Sequence, residues 1–359
     1  MTTEHFIPKH SNSTLTAGSV SWQSPSNIAL VKYWGKYGEQ LPKNTSISFT
    51  LSNCHTKTKL NYTPSNSNTF EFEVYLDGQR AESFEPKILK FFERIEVYMP
   101  FLKQFKYKIE TTNSFPHSSG IASSASGMSA LALCLMNLER LVNSDITDEY
   151  FYAKASFLAR LGSGSACRSI QGPLVVWGEH SVLPGSSNLV GTTLPFELHS
   201  NFKDYCDTIL LVDEGEKVVS STVGHNLMHK HPFAEQRFSQ ANHNFEKIIE
   251  VLKSGDLDSF MEIVESEALS LHAMMMTSHP YFILMKPNTL SIINKIWEFR
   301  RQSGSKVCFT LDAGANVHVL YPNAEKEQVR YFITNELASF CENKKYINDQ
   351  VGNGAFALI

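Results

Sequence analysis

The sequence lacks the features that mark several large classes of protein. Its 359 residues carry 32 Lys+Arg against 36 Asp+Glu, a formal net charge of −4, so there is no basic footprint for nucleic acid or an anionic membrane. A phosphate-bearing ligand would have to be held by a local site. Nothing approaches the roughly 20 apolar residues that cross a bilayer, and the opening MTTEHFIPKHSNSTLTAGSV holds no apolar stretch of signal-peptide length. Six cysteines, Cys54, Cys134, Cys167, Cys206, Cys308 and Cys341, are scattered without CxxC pairing, which argues against a zinc ribbon or disulfide framework and fits a reducing cytoplasm. There is no GxxxxGK[ST] loop, repeat, low-complexity tract or long linker. What is present is apolar mass, 42% hydrophobic and 11% aromatic, ample for the cores of two domains.

The hydrophobic pattern divides the chain. A polar lead over 1–18 is expected to be mobile. The next hundred residues read mostly as strands (SVSWQSPSNIALV, TSISFTLS, TKTKLNY, TFEFEVYL, FKYKIETT), with Asp77 and Gly78 as a turn and one helix near Glu85 to Tyr98. Small residues after Gly120 lead into a helical period through Leu141, and a capped helix follows from about Asp148 to Leu161, before Gly162. Beyond 200 come the strand DTILLVD, helices over about 233–253, 256–272 and 287–302, the strand pair KVCFTLD and NVHVLYP, and a final helix. The expected class is α+β, with domains at 19–200 and 201–359, the C-terminal segment packing back on the first, and a ligand cleft between them.

Four stretches could carry chemistry, and each also has an ordinary structural reading. PHSSGIASSASG (116–127) places hydroxyls and small residues where a loop enters a helix, so open amides and the helix dipole would favour phosphate; it also reads as a Ser/Gly turn capping a core helix. GSGSACR (162–168) leaves backbone amides open beside Arg168, whose planar fork suits a carboxylate or phosphate, or it is a turn with a solvated arginine. NIALVKYWGK (27–36) runs an apolar strand into Lys32 and Lys36 around Tyr33, Trp34 and Gly35, an anion pocket or a strand end with snorkelling lysines. TLDAGAN (310–316) sets Asp312 at a strand end before a glycine turn, as a rigid carboxylate or a turn cap. His225, His229 and His231 match no ordinary zinc spacing and read as structural or surface residues. Met274 to Met276 read as core filling or a pocket wall.

Taken together and in this order, these stretches resemble the diphosphomevalonate decarboxylase family of the GHMP kinase superfamily. SPSNIALVKYWGK is similar to the family's opening strand, FPHSSGIASSASG to its phosphate loop of the PxxxGLxSSA type, and GSGSACRS to its substrate loop; SSTVGH (220–225), SLHA (270–273), FTLDAGAN (309–316) and QVGNG (350–354) resemble further segments. The likeness runs from about residue 20 to the C-terminus. It implies a GHMP kinase fold: a ribosomal-protein-S5-like N-terminal domain with a left-handed βαβ unit, a ferredoxin-like C-terminal domain, and a cleft between them. The implied activity is ATP- and Mg²⁺-dependent decarboxylation of mevalonate 5-diphosphate to isopentenyl diphosphate, by phosphorylation of the 3-hydroxyl and loss of phosphate and carbon dioxide. Asp312 would take the hydroxyl proton with Lys32 tuning it, Arg168 would hold the carboxylate, and Asn27 would fix Arg168 or the substrate. Tyr33, Trp34, Gly35, Lys36, Lys87, Thr222 and the loop Ser163, Gly164, Ser165, Ala166, Cys167 would line the substrate. Pro116, Ser119, Gly120, Ala122, Ser123 and Ser124 would bind ATP, with Ser123 or Ser124 and the ATP phosphates holding Mg²⁺.

Two residues depart from the family pattern. Lys87 stands where an arginine is usual, keeping charge but losing the bidentate fork, which weakens the case for diphosphate over monophosphate. Ala315 replaces a usual proline, which should loosen a turn. A phosphomevalonate decarboxylase, a mevalonate kinase of the same fold, and a catalytically idle metabolite-binding paralogue remain open. The expected partner is a small molecule, with no nucleic acid or membrane and with a homodimer left open.

Overall fold

Two long antiparallel strands organise the first half. The structure, a computed structural model, describes residues 1–8, 15–116, 121–215 and 221–358, the side chains of 221 and 222 excepted. The first half contains β1 (Gly18–Val31), β2 (Lys36–Tyr37), β3 (Leu41–Pro42), β4 (Ser46–Pro64), β5 (Glu71–Leu76), β6 (Gln79–Arg80), α1 (Glu85–Ile95), β7 (Phe105–Asn113), α2 (Ser123–Val142), α3 (Asp148–Gly162), β8 (Leu174–Trp177) and β9 (Thr192–Thr193). The second contains β10 (Cys206–Leu210), α4 (Ser221–Leu227), α5 (Ala234–Ser254), α6 (Leu257–Met276), α7 (Pro287–Ser303), β11 (Cys308–Thr310), β12 (Val317–Tyr321), α8 (Lys326–Phe332), β13 (Tyr346–Gln350) and β14 (Phe356–Ala357).

The first sheet runs β14-β1-β4-β7-β5-β6, with β8 on β4 and β9 on β8. Its β5–β7 pair is parallel, which needs a crossover, and α1 lies in that connection. Helices α2 and α3 cover the sheet. Thr147 starts α3 by accepting the Tyr150 amide at 3.2 Å, with Asp148 and Glu149 in the first turn against the dipole. The second sheet runs β11-β12-β10-β13, every pair antiparallel. With helices between its first and second and its third and fourth strands, this is the ferredoxin-like β-α-β-β-α-β arrangement.

The lobes share a core. From Ser24 to Val31 every residue of β1 is buried, because this end of the strand leaves the sheet surface and enters the junction. Ile28, Leu30 and Phe49 there join Phe245, Ile248 and Val264 of α5 and α6 in one cluster, each such side chain stabilising the junction by roughly 1.5–3 kcal/mol.

Three expectations need correction. TSISFTLS and TKTKLNY are one 19-residue strand, β4, held continuous by partners on both sides. The final helix is not the last element: β13 completes the second sheet, and β14 pairs with β1 through Trp22–Ala357 and Gln23–Phe356. The lead is docked in part, since residues 3–6 form a 3₁₀ turn whose fully buried Phe6 stacks on Phe157 at 4.5 Å.

Candidate active site

A cavity of about 540 Å³ opens between the lobes, and it gathers residues from β1, α2, the loop after α3, α4, α6 and the turn after β11. At its floor the Lys32 ammonium donates to Asp312 Oδ1 at 3.1 Å, the lysine 2% exposed and the acid 26%. Burial lowers the Lys32 pKa, with Asp312 opposing that shift. The pair spans the lobes because β1 ends at Val31 and β11 at Thr310. His272 on α6 bonds the Asp312 carbonyl at 3.0 Å, and burial pushes its pKa down to about 4, so it sits there as neutral imidazole.

Behind Lys32 lies a sealed polar cluster. The Lys32 amide donates to Glu267 at 2.8 Å, Arg237 bonds Glu267 through both terminal nitrogens at 3.0 and 2.5 Å, and Asn244 adds a bond of 2.7 Å. The carboxylate of Glu267 is fully buried and has four donors.

Across the cavity, Arg168 is 3% exposed. One terminal nitrogen donates to Ser46 at 2.5 Å, its guanidinium sits 5.8 Å from the Trp177 ring centre, and its buried Nε has no hydrogen-bond partner among the described residues. Leaving such a donor unpaired is costly, so this guanidinium is suited to an anion entering the cavity. Burial lowers its pKa. Asn27 reaches Ser169 Oγ at 2.8 Å and weakly the Ser165 carbonyl at 3.4 Å, so it ties down the loop that carries Arg168.

The start of α2 faces the same space. Ala122 takes a left-handed conformation (φ 48) and provides no side-chain cap; Ser123 and Ser124 line the cavity, the Ser124 hydroxyl 3.4 Å from that of Ser163. Ser119 and Gly120 lie outside the described residues, as does the Thr222 side chain; Pro116 is not among the lining residues. Tyr33, Trp34, Lys36, Lys87, Ser163, Gly164 and Ser165 line the cavity. Ala166 and Cys167 do not: they are 0% and 1% exposed, turned into the core by the 3₁₀ turn Gly164–Ser169, and burial pushes the Cys167 thiol up to about 12. Gly35 is demanded by its backbone, with φ +99 and a Cβ that would meet Phe238 at 2.8 Å. Lys36 donates to Gln40 at 2.8 Å, and its pKa falls through desolvation, then Arg94 and Lys90. Lys87 is accessible from the cavity yet set among protein atoms that lower its pKa by desolvation.

Sequence reasoning gave no role to Glu267, Arg237, Asn244, Ser46 or His272, and read His225 as a structural or surface residue. The two histidines lie in segments already singled out, SSTVGH and SLHA, which was the available signal. The others are isolated polar residues of β4, α5 and α6, unmarked until those elements pack.

A ferredoxin-like lobe set against a β-rich lobe whose open helix start faces a lysine–aspartate pair is the two-domain architecture of the GHMP kinase fold. Comparison with known proteins narrows this. The chain matches the diphosphomevalonate decarboxylase-like N-terminal domain over 24–188 and the mevalonate 5-diphosphate decarboxylase C-terminal domain over 208–355. Diphosphomevalonate decarboxylase of Candida albicans is 30% identical over 325 residues, spanning 87% of this chain and 86% of that protein. The mevalonate diphosphate decarboxylase structure from Staphylococcus aureus aligns with TM-score 0.80 at 27% identity over 96% of this chain and 99% of that one. A structure of MDDEF in complex with MVAPP, AMPPCP and magnesium aligns equally well, with TM-score 0.80, 27% identity and the same coverage. This chain belongs to the diphosphomevalonate decarboxylase family.

Proposed function

We propose that the chain converts ATP and mevalonate 5-diphosphate to ADP, phosphate, carbon dioxide and isopentenyl diphosphate. The observation that carries this is the placing of the Lys32–Asp312 pair and the unsatisfied Arg168 guanidinium in one cavity. A hindered tertiary 3-hydroxyl gains reactivity chiefly through positioning. Asp312 orients it and takes its proton as the oxygen bonds to the γ-phosphorus and the bond from that phosphorus to the departing ADP oxygen breaks, while the Lys32 ammonium holds the carboxylate in place. The C3–O bond then breaks with its electron pair leaving on phosphate. Arg168 holds the C1 carboxylate in line, so that the C1–C2 pair becomes the C2=C3 double bond as carbon dioxide departs. A kinase needs the first step alone and has no use for a buried guanidinium aimed at a carboxylate.

The amides and hydroxyls of Ser123 and Ser124 hold the ATP phosphates; this all-oxygen and N–H donor set fits a Mg-nucleotide. Mg²⁺ would be held by one of these hydroxyls with the ATP phosphates, and would supply charge neutralisation on the transferring group. Tyr33, Lys36, Ser163 to Ser165, Thr222 and Lys87 take the 5-diphosphate end. Residues 19–200 and 201–359 act as the two domains, and the reaction belongs in the cytoplasm; no helix among the described residues is long and apolar enough to cross a membrane.

The test is incubation with ATP, Mg²⁺ and either the mono- or diphosphate of mevalonate, following ADP and carbon dioxide. Equal release of both from the diphosphate is expected. ADP without carbon dioxide would make the chain a kinase, and turnover of the monophosphate alone would replace the substrate.

A further inference from the structure

One group in the cavity has no part in the mechanism above. His225, in the last turn of α4, packs its ring against Tyr33 at 4.3 Å and Trp34 at 4.5 Å between centroids. The Gly35 amide donates to its Nδ1 at 2.9 Å. An Nδ1 that accepts leaves the single proton of a neutral imidazole on Nε2. Burial first, then the charges of Lys36 and Arg168, push its pKa down to about 3, so the ring stays neutral near pH 7. Its Nε2 has no hydrogen-bond partner among the described residues, and His225 lines the cavity together with Lys36 and Arg168. His231 differs: its ring bonds the Met274 carbonyl and Thr277 at 3.0 and 3.1 Å, a structural use that occupies its nitrogen.

We propose that His225 is a substrate-binding residue whose Nε2–H donates to an anionic oxygen at the 5-diphosphate end, its tautomer fixed by the Gly35 amide. This rests on the substrate reading above. A neutral donor suits the position, since it adds a directional bond to phosphate without crowding a further cation against Lys36 and Arg168. The arrangement also couples the lobes: α4 brings the donor from the second half, and the 33–36 loop of the first half sets which nitrogen carries the proton.

Two substitutions separate this role from a structural clamp on Gly35. In His225→Asn the amide oxygen can replace Nδ1 as acceptor while the distal donor is lost; in His225→Gln the amide nitrogen can replace Nε2 while the Gly35 acceptor is lost. The proposal expects His225→Asn to raise KM for the diphosphate about tenfold with kcat within about twofold, and His225→Gln to keep KM within about threefold, the loss being that of a charge-assisted hydrogen bond. The reverse order, or wild-type KM in both, overturns it. A second measurement needs no variant and no turnover. On the wild-type chain with ¹⁵N-labelled histidine, inorganic pyrophosphate should shift the His225 Nε2–H signal, assigned through its contacts with Trp34, while the ring remains neutral. An unmoved signal at saturating pyrophosphate overturns the proposal even if both variants fail to fold. Failure of wild-type carbon dioxide release would instead defeat the substrate reading and leave this titration to decide on His225.

Discussion

An ion pair inside the second lobe and one that crosses from it to the first are built to opposite ends. Arg237–Glu267 is sealed, at 1% and 0% exposure, bidentate and reinforced by Asn244 and a backbone amide. Lys32 meets Asp312 Oδ1 at 3.1 Å, with the acid 26% exposed. Lys32 belongs to both, its amide fixed by Glu267 and its ammonium by Asp312. A buried pair is strongly destabilising only when broken, so the sealed one fixes where the backbone of β1 ends. The open one, with an accessible carboxylate oxygen, can exchange protons with a ligand. The arginines repeat the contrast: Arg237 has both terminal nitrogens on a carboxylate, whereas Arg168 has one on Ser46.

Breaking the open pair should have the largest effect, and on turnover. Asp312→Asn is expected to lower kcat by about 10² to 10⁴ while nucleotide affinity stays near wild type; unchanged turnover would reduce Asp312 to a turn residue. The sealed pair should respond in the opposite currency. Glu267→Gln leaves Arg237 buried without its counter-charge and is expected to cost about 3–5 kcal/mol of stability, read by denaturant unfolding; a variant as stable as wild type would show that the cluster is not what fixes the junction.

Smaller effects sharpen the contrast within the cavity. Arg168→Gln should slow carbon dioxide release about 100-fold through lost alignment with little change in stability, whereas Lys87→Arg should leave kcat alone and improve KM for diphosphate relative to monophosphate by restoring a fork. Steady-state kinetics with both substrates distinguishes these, and no change of preference in Lys87→Arg would remove Lys87 from the phosphate end. The smallest effect is on pH. His272 and His225 have folded pKa values of about 4 and about 3 against an ordinary 6.5. The unfolded chain therefore binds more protons below pH 6.5, and the stability that neutral burial contributes is present above that pH and lost as pH falls toward 4. Melting temperature should decline over that window, and less steeply in His272→Gln.

Much of the site was legible because its chemistry is written locally. Small residues before a helix announce the start of α2, GSGSACR announces a tight loop, and an acid before a glycine turn announces Asp312. Local pattern says less about direction. The stretch 163–167 reads as one substrate loop, yet the 3₁₀ turn sends Ser163, Gly164 and Ser165 to the cavity and Ala166 and Cys167 into the core. Likewise HxxxHxH reads as one cluster, although His225 faces the cavity and His231 bonds α6 and the turn after it.

The sequence by itself determined the elements and the inventory of reactive groups, because helix caps, turn residues and hydrophobic period act over a few residues. The tertiary structure decided which of those groups meet. Lys32 and Asp312 are joined by packing of β1 and β4 against α5 and α6, and Arg237 and Glu267 by the packing of α5 on α6. Local spacing cannot specify a contact that forms only when two lobes bury one shared core.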